Sequence, residues 1–190
     1  MSAHNPIRHS WSTKLLHFFL LLCVLWQLIF VQFAERPRAN RPANFFFQLH
    51  EWVGLGTLGG VVLFWLWVVV RRAETPFLAL FPWFSLRRLA AIRDDLRVYL
   101  ASLRQLRLPD ADEESPLVSA VHGLGLLTAL AMAISGAWLF TMTLPAGLML
   151  DIHKAVSNLM WAYLISHAGL AVLHQFLGHP VLQRMFSRNP

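Results

Sequence analysis

The sequence predicts an all-α integral membrane protein: a four-transmembrane-helix bundle with a cytoplasmic amphipathic helix between the second and third spans. Hydrophobic residues make up 56% of the 190 residues, and the mean hydropathy is +0.50, whereas soluble domains are roughly 45–50% apolar. The apolar residues also fall into four runs long enough to cross a bilayer core roughly 30 Å thick. We therefore expect one membrane domain over residues 1–190, with spans at about residues 14–33, 45–70, 117–143 and 148–177.

The connections support this division into spans. Pro37 and Pro42 lie in the polar loop after the first run and end the helices on both sides. The first run extends to Phe33, which is longer than the apolar region of a signal peptide, and no small-residue cleavage pattern follows it, so we expect a retained span. The second span contains small residues that let a neighbouring backbone or a flat ligand approach closely: Gly54, Gly56, Gly59 and Gly60.

The long connection at residues 71–115 contains a different kind of helix. Over Ser85 to Leu106, apolar residues recur at steps of three and four, and arginines occupy the other side, which predicts an amphipathic helix. A basic helix of this kind lies on a membrane surface or docks against a partner protein, and we favour the surface. The aromatic stretch Phe77 to Phe84 is expected at the level of the lipid headgroups, and Asp110 to Glu114 is expected to form an acidic turn.

The distribution of positive charge predicts the orientation. Of the sixteen Lys and Arg residues, twelve lie in the N-terminal segment, the long connection and the C-terminal tail, which share one side of a four-span protein. The other four are Arg36, Arg38, Arg41 and Lys154. The positive-inside rule therefore places both termini in the cytoplasm. The formal charge of +6 reflects this topology, and we expect no nucleic-acid partner.

The cysteine content limits the chemistry. Cys23 is the single cysteine, so the chain can form neither an internal disulfide nor a cluster of thiolate ligands. There is no Cys-x-x-Cys-His motif for covalent attachment of a haem. Any haem must therefore be held by non-covalent axial ligands.

The fourth span carries two histidines at an informative spacing. His153 and His167 are 14 residues apart, which is roughly 21 Å along a helix and only about 40° short of four full turns. Their rings therefore leave one face of the helix, near opposite sides of the bilayer core. By depth, His50 matches His153 on the outer side, and either His17 or His122 matches His167 on the inner side. Two facing imidazoles at each depth could hold a haem iron between them.

The alternative is that a histidine within a span only forms a hydrogen bond to a neighbouring helix. For His122 this interpretation is about as good as a role at a haem. For His174, which lies close to the cytoplasmic interface, it is the better of the two. It does not explain two pairs matched in depth. His4, His9 and His179 lie outside the spans and are expected to be solvated.

Motifs in all four spans resemble one known family. They are Leu-Leu-His17, Leu-His50-Glu-Trp-Val-Gly54, His122 followed by Ser135-Gly136, and Ile-His153-Lys with Ser-His167-Ala-Gly fourteen residues on. Over nearly the whole chain, this pattern resembles the prokaryotic cytochrome b561 family of four-helix diheme b-type cytochromes. That family is related to the b-type cytochrome subunits of nickel-iron hydrogenase and formate dehydrogenase.

The resemblance implies a ligand set and a function. It implies two haem b groups, one bound by His17 and His167 and the other by His50 and His153, with His122 as a contact to the inner haem or to quinone. It implies electron transfer in the respiratory chain of a bacterial inner membrane, with ubiquinone or menaquinone as an electron partner. It assigns no catalytic side chain.

Three functions remain open from the sequence. The chain could be a membrane anchor subunit that passes electrons between a redox partner protein, such as a dehydrogenase, and quinone. It could act alone as a superoxide:quinone oxidoreductase, since the cationic residues of the outer side would attract a small anion. A histidine-lined metal or proton transporter is the alternative from another class, but the acidic residues of the spans, Glu51 and Asp151, both lie near the outer edge.

Overall fold

The computed structural model describes residues 9–71, 74–105, 115–179 and 181–186. These residues are largely helical and form no β-strand among themselves, only an isolated bridge between Arg38 and Arg41. The helices are α1 (Trp11–Phe30), α2 (Phe45–Val70), α3 (Phe77–Leu80), α4 (Leu86–Arg104), α5 (Pro116–Phe140), α6 (Leu148–Phe176) and α7 (Val181–Phe186), with 3₁₀ turns at Val31–Phe33 and Pro82–Phe84.

Within the described ranges, α1, α2, α5 and α6 are long and apolar enough to cross a membrane, which confirms the all-helical fold with four apolar spans. Their bounds lie within three residues of the predicted ones. The first helix begins at Trp11 rather than Lys14, because the Ser10 side chain accepts a hydrogen bond from the Thr13 amide and caps it. A helix, α4, also lies between the second and third spans, and its cytoplasmic position stays a prediction. The predicted acidic turn at Asp110 to Glu114 lies outside the described residues.

The order of packing leaves α6 at one side of the bundle. Helix α1 packs on α2, α2 on α5, and α5 on α6. Among the described helices, α6 has no comparably close packing on α1 or α2, and its buried side chains are Met160 and His174. A space therefore remains between α6 and the first two spans.

The connection after α2 folds back against the bundle. Leu80 and Phe81 are at most 8% exposed and belong to the hydrophobic core formed with α1 and α2. The Phe81 ring stacks on Trp65 with 4.9 Å between ring centroids. A Cβ at Gly123 would lie 1.8 Å from the Leu80 carbonyl oxygen, so only glycine allows this approach. Part of the aromatic stretch is therefore core, whereas Phe84 at its end is 97% exposed.

Helix α4 is fastened to the beginning of α5. The Asp95 carboxylate accepts hydrogen bonds from Ser115 Oγ at 2.7 Å and from the backbone N of Leu117 at 3.1 Å. Arg88, also on α4, donates to the carbonyl of Leu78. A carboxylate at a helix N-terminus satisfies amide groups that have no partner within the helix. Asp95 therefore both stabilises α5 and holds the basic helix on the bundle.

A buried cluster, which we call the Glu74 cluster, joins the beginning of α1 to the end of α2. It consists of Glu74, His9, Ser10, Thr13 and Arg71. Glu74 is 8% exposed, and its Oε1 accepts hydrogen bonds from Ser10 Oγ at 2.6 Å, Thr13 Oγ1 at 2.8 Å and Ser10 N at 3.1 Å. Its Oε2 lies 3.1 Å from His9 Nδ1 and 3.0 Å from Arg71 Nη1. His9, expected to be solvated, instead contacts a carboxylate that no sequence pattern indicated.

The hydrogen bonds of the cluster keep Glu74 ionised. Burial raises the pKa of Glu74, but the hydrogen bonds from His9, Ser10 and Thr13 outweigh burial and lower the pKa from 4.5 to about 2. Between these two values the unfolded chain binds more protons than the folded one. The cluster therefore stabilises the fold fully above about pH 4.5 and loses this contribution as the pH falls toward about 2.

We expect Glu74→Gln to lower the melting temperature at pH 7, through a loss on the order of 2–3 kcal/mol of unfolding free energy. The difference from the wild type should close as the pH is lowered from 4.5 to 2. Thermal unfolding of the detergent-solubilised protein across this range measures the effect. Asp94→Asn is the control, since that side chain is 60% exposed and should change little. A difference that persisted unchanged at pH 2 would contradict the role of the Glu74 charge.

Candidate functional site

The first histidine pair joins α1 and α6. His17 lies in the second turn of α1 and His167 in the second half of α6, and their ring centroids are 6.4 Å apart with 56° between the ring planes. We call this the His17–His167 site. Thr13 of the Glu74 cluster lies one turn before His17, so the site is near the end of the bundle where α1 begins.

Two further rings surround His167. The His122 ring centroid lies 5.2 Å from that of His167, with 79° between the planes. The Tyr163 ring stacks on His167 at 5.3 Å and 8°. Tyr163 fits because residue 125 is glycine: a Cβ at Gly125 would lie 2.2 Å from Tyr163 Cζ. Sequence reasoning missed Tyr163, although its position four residues before His167 places both rings on one face of α6.

The second histidine pair joins α2 and α6. The ring centroids of His50 and His153 are 6.3 Å apart with 84° between the planes, and we call this the His50–His153 site. Gly136 of α5 leaves space for the ring, since a Cβ there would lie 3.3 Å from His153 Cε1. The structure thus brings His50 to His153, as the depth argument matched them, and brings both candidates, His17 and His122, to His167.

A hydrogen bond from α5 orients the His153 ring. Ser135 Oγ lies 2.8 Å from His153 Nδ1 and 2.7 Å from the carbonyl oxygen of Ala131. A serine hydroxyl has one proton to donate, and since it donates to Ala131, it accepts a hydrogen bond from the Nδ1–H of His153. The other ring nitrogen, Nε2, then carries the lone pair that can bind a metal.

Gln27 supports the backbone beside His50. Its Nε2 donates to the His50 carbonyl oxygen at 2.9 Å, which links α1 to α2. Gly54 leaves room for this amide, because a Cβ there would lie 2.9 Å from Gln27 Nε2. A glutamine in an apolar run carries no periodic signal, so this contact could not be predicted from the sequence.

A cavity of about 680 Å³ lies at the His50–His153 site and is lined by all four spans. Its volume is within the range of roughly 300–1,000 Å³ that holds small molecules and cofactors. Charged residues of both signs also line it: Arg36, Arg38 and Lys154 are cationic, and Glu35 and Glu51 are acidic. Arg36 Nη1 donates to the carbonyl oxygen of Pro145 at 3.1 Å, which ties the loop after α1 to the turn before α6.

The ring separations of both pairs fit a metal held between them. An imidazole nitrogen binds a metal at about 2.0–2.1 Å and lies about 1.1 Å from its own ring centre, so two ligands on opposite sides place their centroids roughly 6.3 Å apart. The observed separations are 6.4 and 6.3 Å. At each site one histidine, His17 or His50, also has a buried Nδ1 without a hydrogen-bond partner in the described part of the chain.

The same geometry distinguishes the two candidates for the partner of His167. The His122 ring is 5.2 Å away, about 1 Å too close for a ligand on the opposite side of a metal. The His17 ring is at the required separation. The structure thus brings both His17 and His122 next to His167, and the choice of His17 as the partner stays a prediction.

The other histidine of α6 lies apart from these roles. His174 is 8% exposed, and its ring centroid is 5.5 Å from that of His179. His179, expected to be solvated, therefore contacts a buried side chain at the end of α6.

The comparison with protein families is consistent with this arrangement. The family model described as prokaryotic cytochrome b561 matches residues 8–188, nearly the whole chain. This match confirms the family that the motifs of the four spans predicted. No curated protein and no solved structure matches the chain.

If the His50–His153 site holds haem, Ser135→Ala should weaken its retention there by roughly 10–100-fold, as for other groups that orient a metal-binding histidine. Transfer of haem to an excess of apomyoglobin, followed by absorbance, measures this. Ser166→Ala is a matched control, because the Ser166 hydroxyl donates to the Ala162 carbonyl of its own helix at 2.7 Å. Equal haem retention in both variants would contradict the orienting role of Ser135.

Proposed function

The chain belongs to the prokaryotic cytochrome b561 family, and we propose that it carries electrons across the membrane through two b-type haems. One would be held by His17 and His167, and the other by His50 and His153. The observation that carries the proposal is the pair of facing imidazoles at each site, with centroids 6.4 and 6.3 Å apart. Two neutral imidazoles suit an iron bound through axial ligands alone.

The side chains of the protein determine where the electron is held and at what potential. Bound haem supplies one-electron chemistry, because its iron can gain and lose an electron. Helix α6 sets the two sites roughly 21 Å apart along its axis. Ser135 keeps Nε2 of His153 available, and Tyr163 stacks on His167 and limits its rotation. The apolar walls lower the local dielectric, which tunes the potential of each site.

The family resemblance supports a proposal for the electron partners. We propose that ubiquinone or menaquinone exchanges electrons with one haem, and that a dehydrogenase or another redox protein is the other partner. His122, 5.2 Å from His167 between ring centroids, is our candidate for a contact to quinone or to that haem. We further propose a bacterial inner membrane as the location, with both termini in the cytoplasm.

We expect two b-type haems per chain in the purified wild type and about one in each of His153→Ala and His167→Ala. The reason is that each substitution removes one axial ligand from a different site. Reduced-minus-oxidised visible spectra and a pyridine haemochrome assay, per mole of protein, measure this. A wild type without haem, expressed with an adequate haem supply, would overturn the proposal and favour a histidine-lined transporter.

A second candidate function is oxidation of superoxide by the protein acting alone. In this reaction two superoxide anions each give up one electron, and one quinone takes up both electrons and two protons, so that two O₂ and one quinol are formed. The observation that favours it is an excess of positive charge in the lining of the cavity at the His50–His153 site, where Arg36, Arg38 and Lys154 outnumber Glu35 and Glu51. Cationic walls at a cleft raise the local concentration of a small anion.

If this second function holds, Arg38→Gln combined with Lys154→Gln should slow superoxide-dependent quinone reduction several-fold at low ionic strength. The rate of the wild type should fall as salt is added, and that of the variant should fall less. Stopped-flow absorbance of quinone measures both rates. Arg97→Gln, at a side chain 68% exposed on α4, is the control. A wild type that reduces no quinone with superoxide would exclude this function.

A further inference from the structure

The position of His17 relative to His167 depends on how α1 packs on α2, and not on close packing of α1 against α6. Helix α1 packs closely on α2, whereas within the described residues it has no comparable packing on α6, which carries His167. The separation of the two rings is therefore set by where α1 sits along α2. Any group that ties α1 to α2 close to His17 contributes to that separation.

Thr13 provides such a tie. It is 3% exposed, and its Oγ1 donates to Glu74 at 2.8 Å and accepts a hydrogen bond from Trp67 Nε1 of α2 at 2.8 Å. Arg71, at the end of α2, places its Nη1 3.0 Å from Glu74 Oε2. One carboxylate thus binds groups from the first turn of α1 and from the end of α2.

The tie lies one helical turn from the ligand. Thr13 and His17 are four residues apart, which is roughly 6 Å along the axis and about 40° in rotation. A hydrogen-bonded helix is stiff over one turn, so a shift or rotation of α1 at Thr13 moves the His17 ring with it. The backbone N of Ser10 also donates to Glu74 at 3.1 Å, which fixes the beginning of the helix along its axis.

We propose that Glu74 is a positioning residue for the haem ligand His17. It acts by fixing the first turn of α1 against the end of α2, both in its position along the axis of α1 and in its rotation about that axis. This role rests on the proposed function, since it treats His17 as an axial ligand. The Glu74 carboxylate also lies at the N-terminal end of α1, which carries the positive end of the helix dipole, and a negative charge is favoured there.

The test uses two pairs of variants in the full-length, haem-loaded protein. Glu74→Gln removes the charge and keeps the shape, and Asp94→Asn is the matched control at an exposed carboxylate. Thr13→Val removes the hydroxyl and keeps the branched shape, and Thr13→Ser restores the hydroxyl. His17→Ala identifies the haem signal of the His17–His167 site.

Electron paramagnetic resonance of the oxidised protein and a redox titration follow each haem separately. The low-spin signal depends on the angle between the two imidazole planes, so it reports the position of the His17 ring directly. In Glu74→Gln and Thr13→Val we expect a change in the signal that His17→Ala removes, with roughly 10-fold weaker haem retention there. The other haem should keep its signal and potential. Thr13→Ser and Asp94→Asn should match the wild type.

Three results would overturn the proposal. The first is that both haem signals of Glu74→Gln and Thr13→Val match the wild type. The second is that both haems change to the same extent, which would indicate general destabilisation. The third is that His17→Ala removes neither haem; in that case the proposed ligand pair fails first, and the positioning role fails with it. If Thr13→Val does not fold, Glu74→Gln alone decides between these results.

Discussion

Two imidazoles on different helices can hold a flat cofactor between them only if those helices are kept at a fixed distance without packing against each other. Direct contact of α6 with α1 or α2 would close the space that a flat cofactor needs. The bundle solves this by making α5 the partner of both α2 and α6. Glycines on α5 then admit a different neighbour at each level. A Cβ at Gly123 would overlap the Leu80 backbone, and one at Gly125 would overlap the Tyr163 ring. A Cβ at Gly136 would press on the His153 ring. Helix α5 therefore serves as the scaffold, and α6 presents His153 and His167 toward the other spans.

The features predicted from the sequence are those that repeat at a fixed period. Four apolar runs predicted four spans, because in lipid every backbone group must be satisfied within a helix. The 14-residue spacing on α6 placed His153 and His167 on one stripe, and depth along the neighbouring spans then matched His50 with His153. Depth left both His17 and His122 as candidates for His167, because both begin their spans on the same side. The structure adds that their ring centroids lie at different separations from His167, 6.4 and 5.2 Å.

The features that could not be predicted are contacts between residues distant in sequence. Glu74 lies in a polar connection, and its partners His9, Ser10 and Thr13 are more than sixty residues away. No local pattern marks such a pairing. The Ser135–Gly136 pair illustrates an intermediate case: the motif was visible, but its role as a hydrogen-bond acceptor and a gap beside His153 required the positions of α5 and α6.

The two sites differ in how they meet their surroundings, and this difference bears on the proposed function. At the His17–His167 site, the rings of His122 and Tyr163 lie against His167, and the folded connection at Leu80 packs on Gly123, the residue after His122. At the His50–His153 site, a cavity reaches the ring pair, and its charged lining comprises Arg36, Arg38 and Lys154 together with Glu35 and Glu51. A small charged reactant loses hydration when it enters an apolar bundle, and only a cationic entrance offsets that cost. If both sites hold haem as proposed, a water-soluble anion would therefore exchange electrons at the His50–His153 site. A lipid-soluble partner carries no such requirement and suits either site.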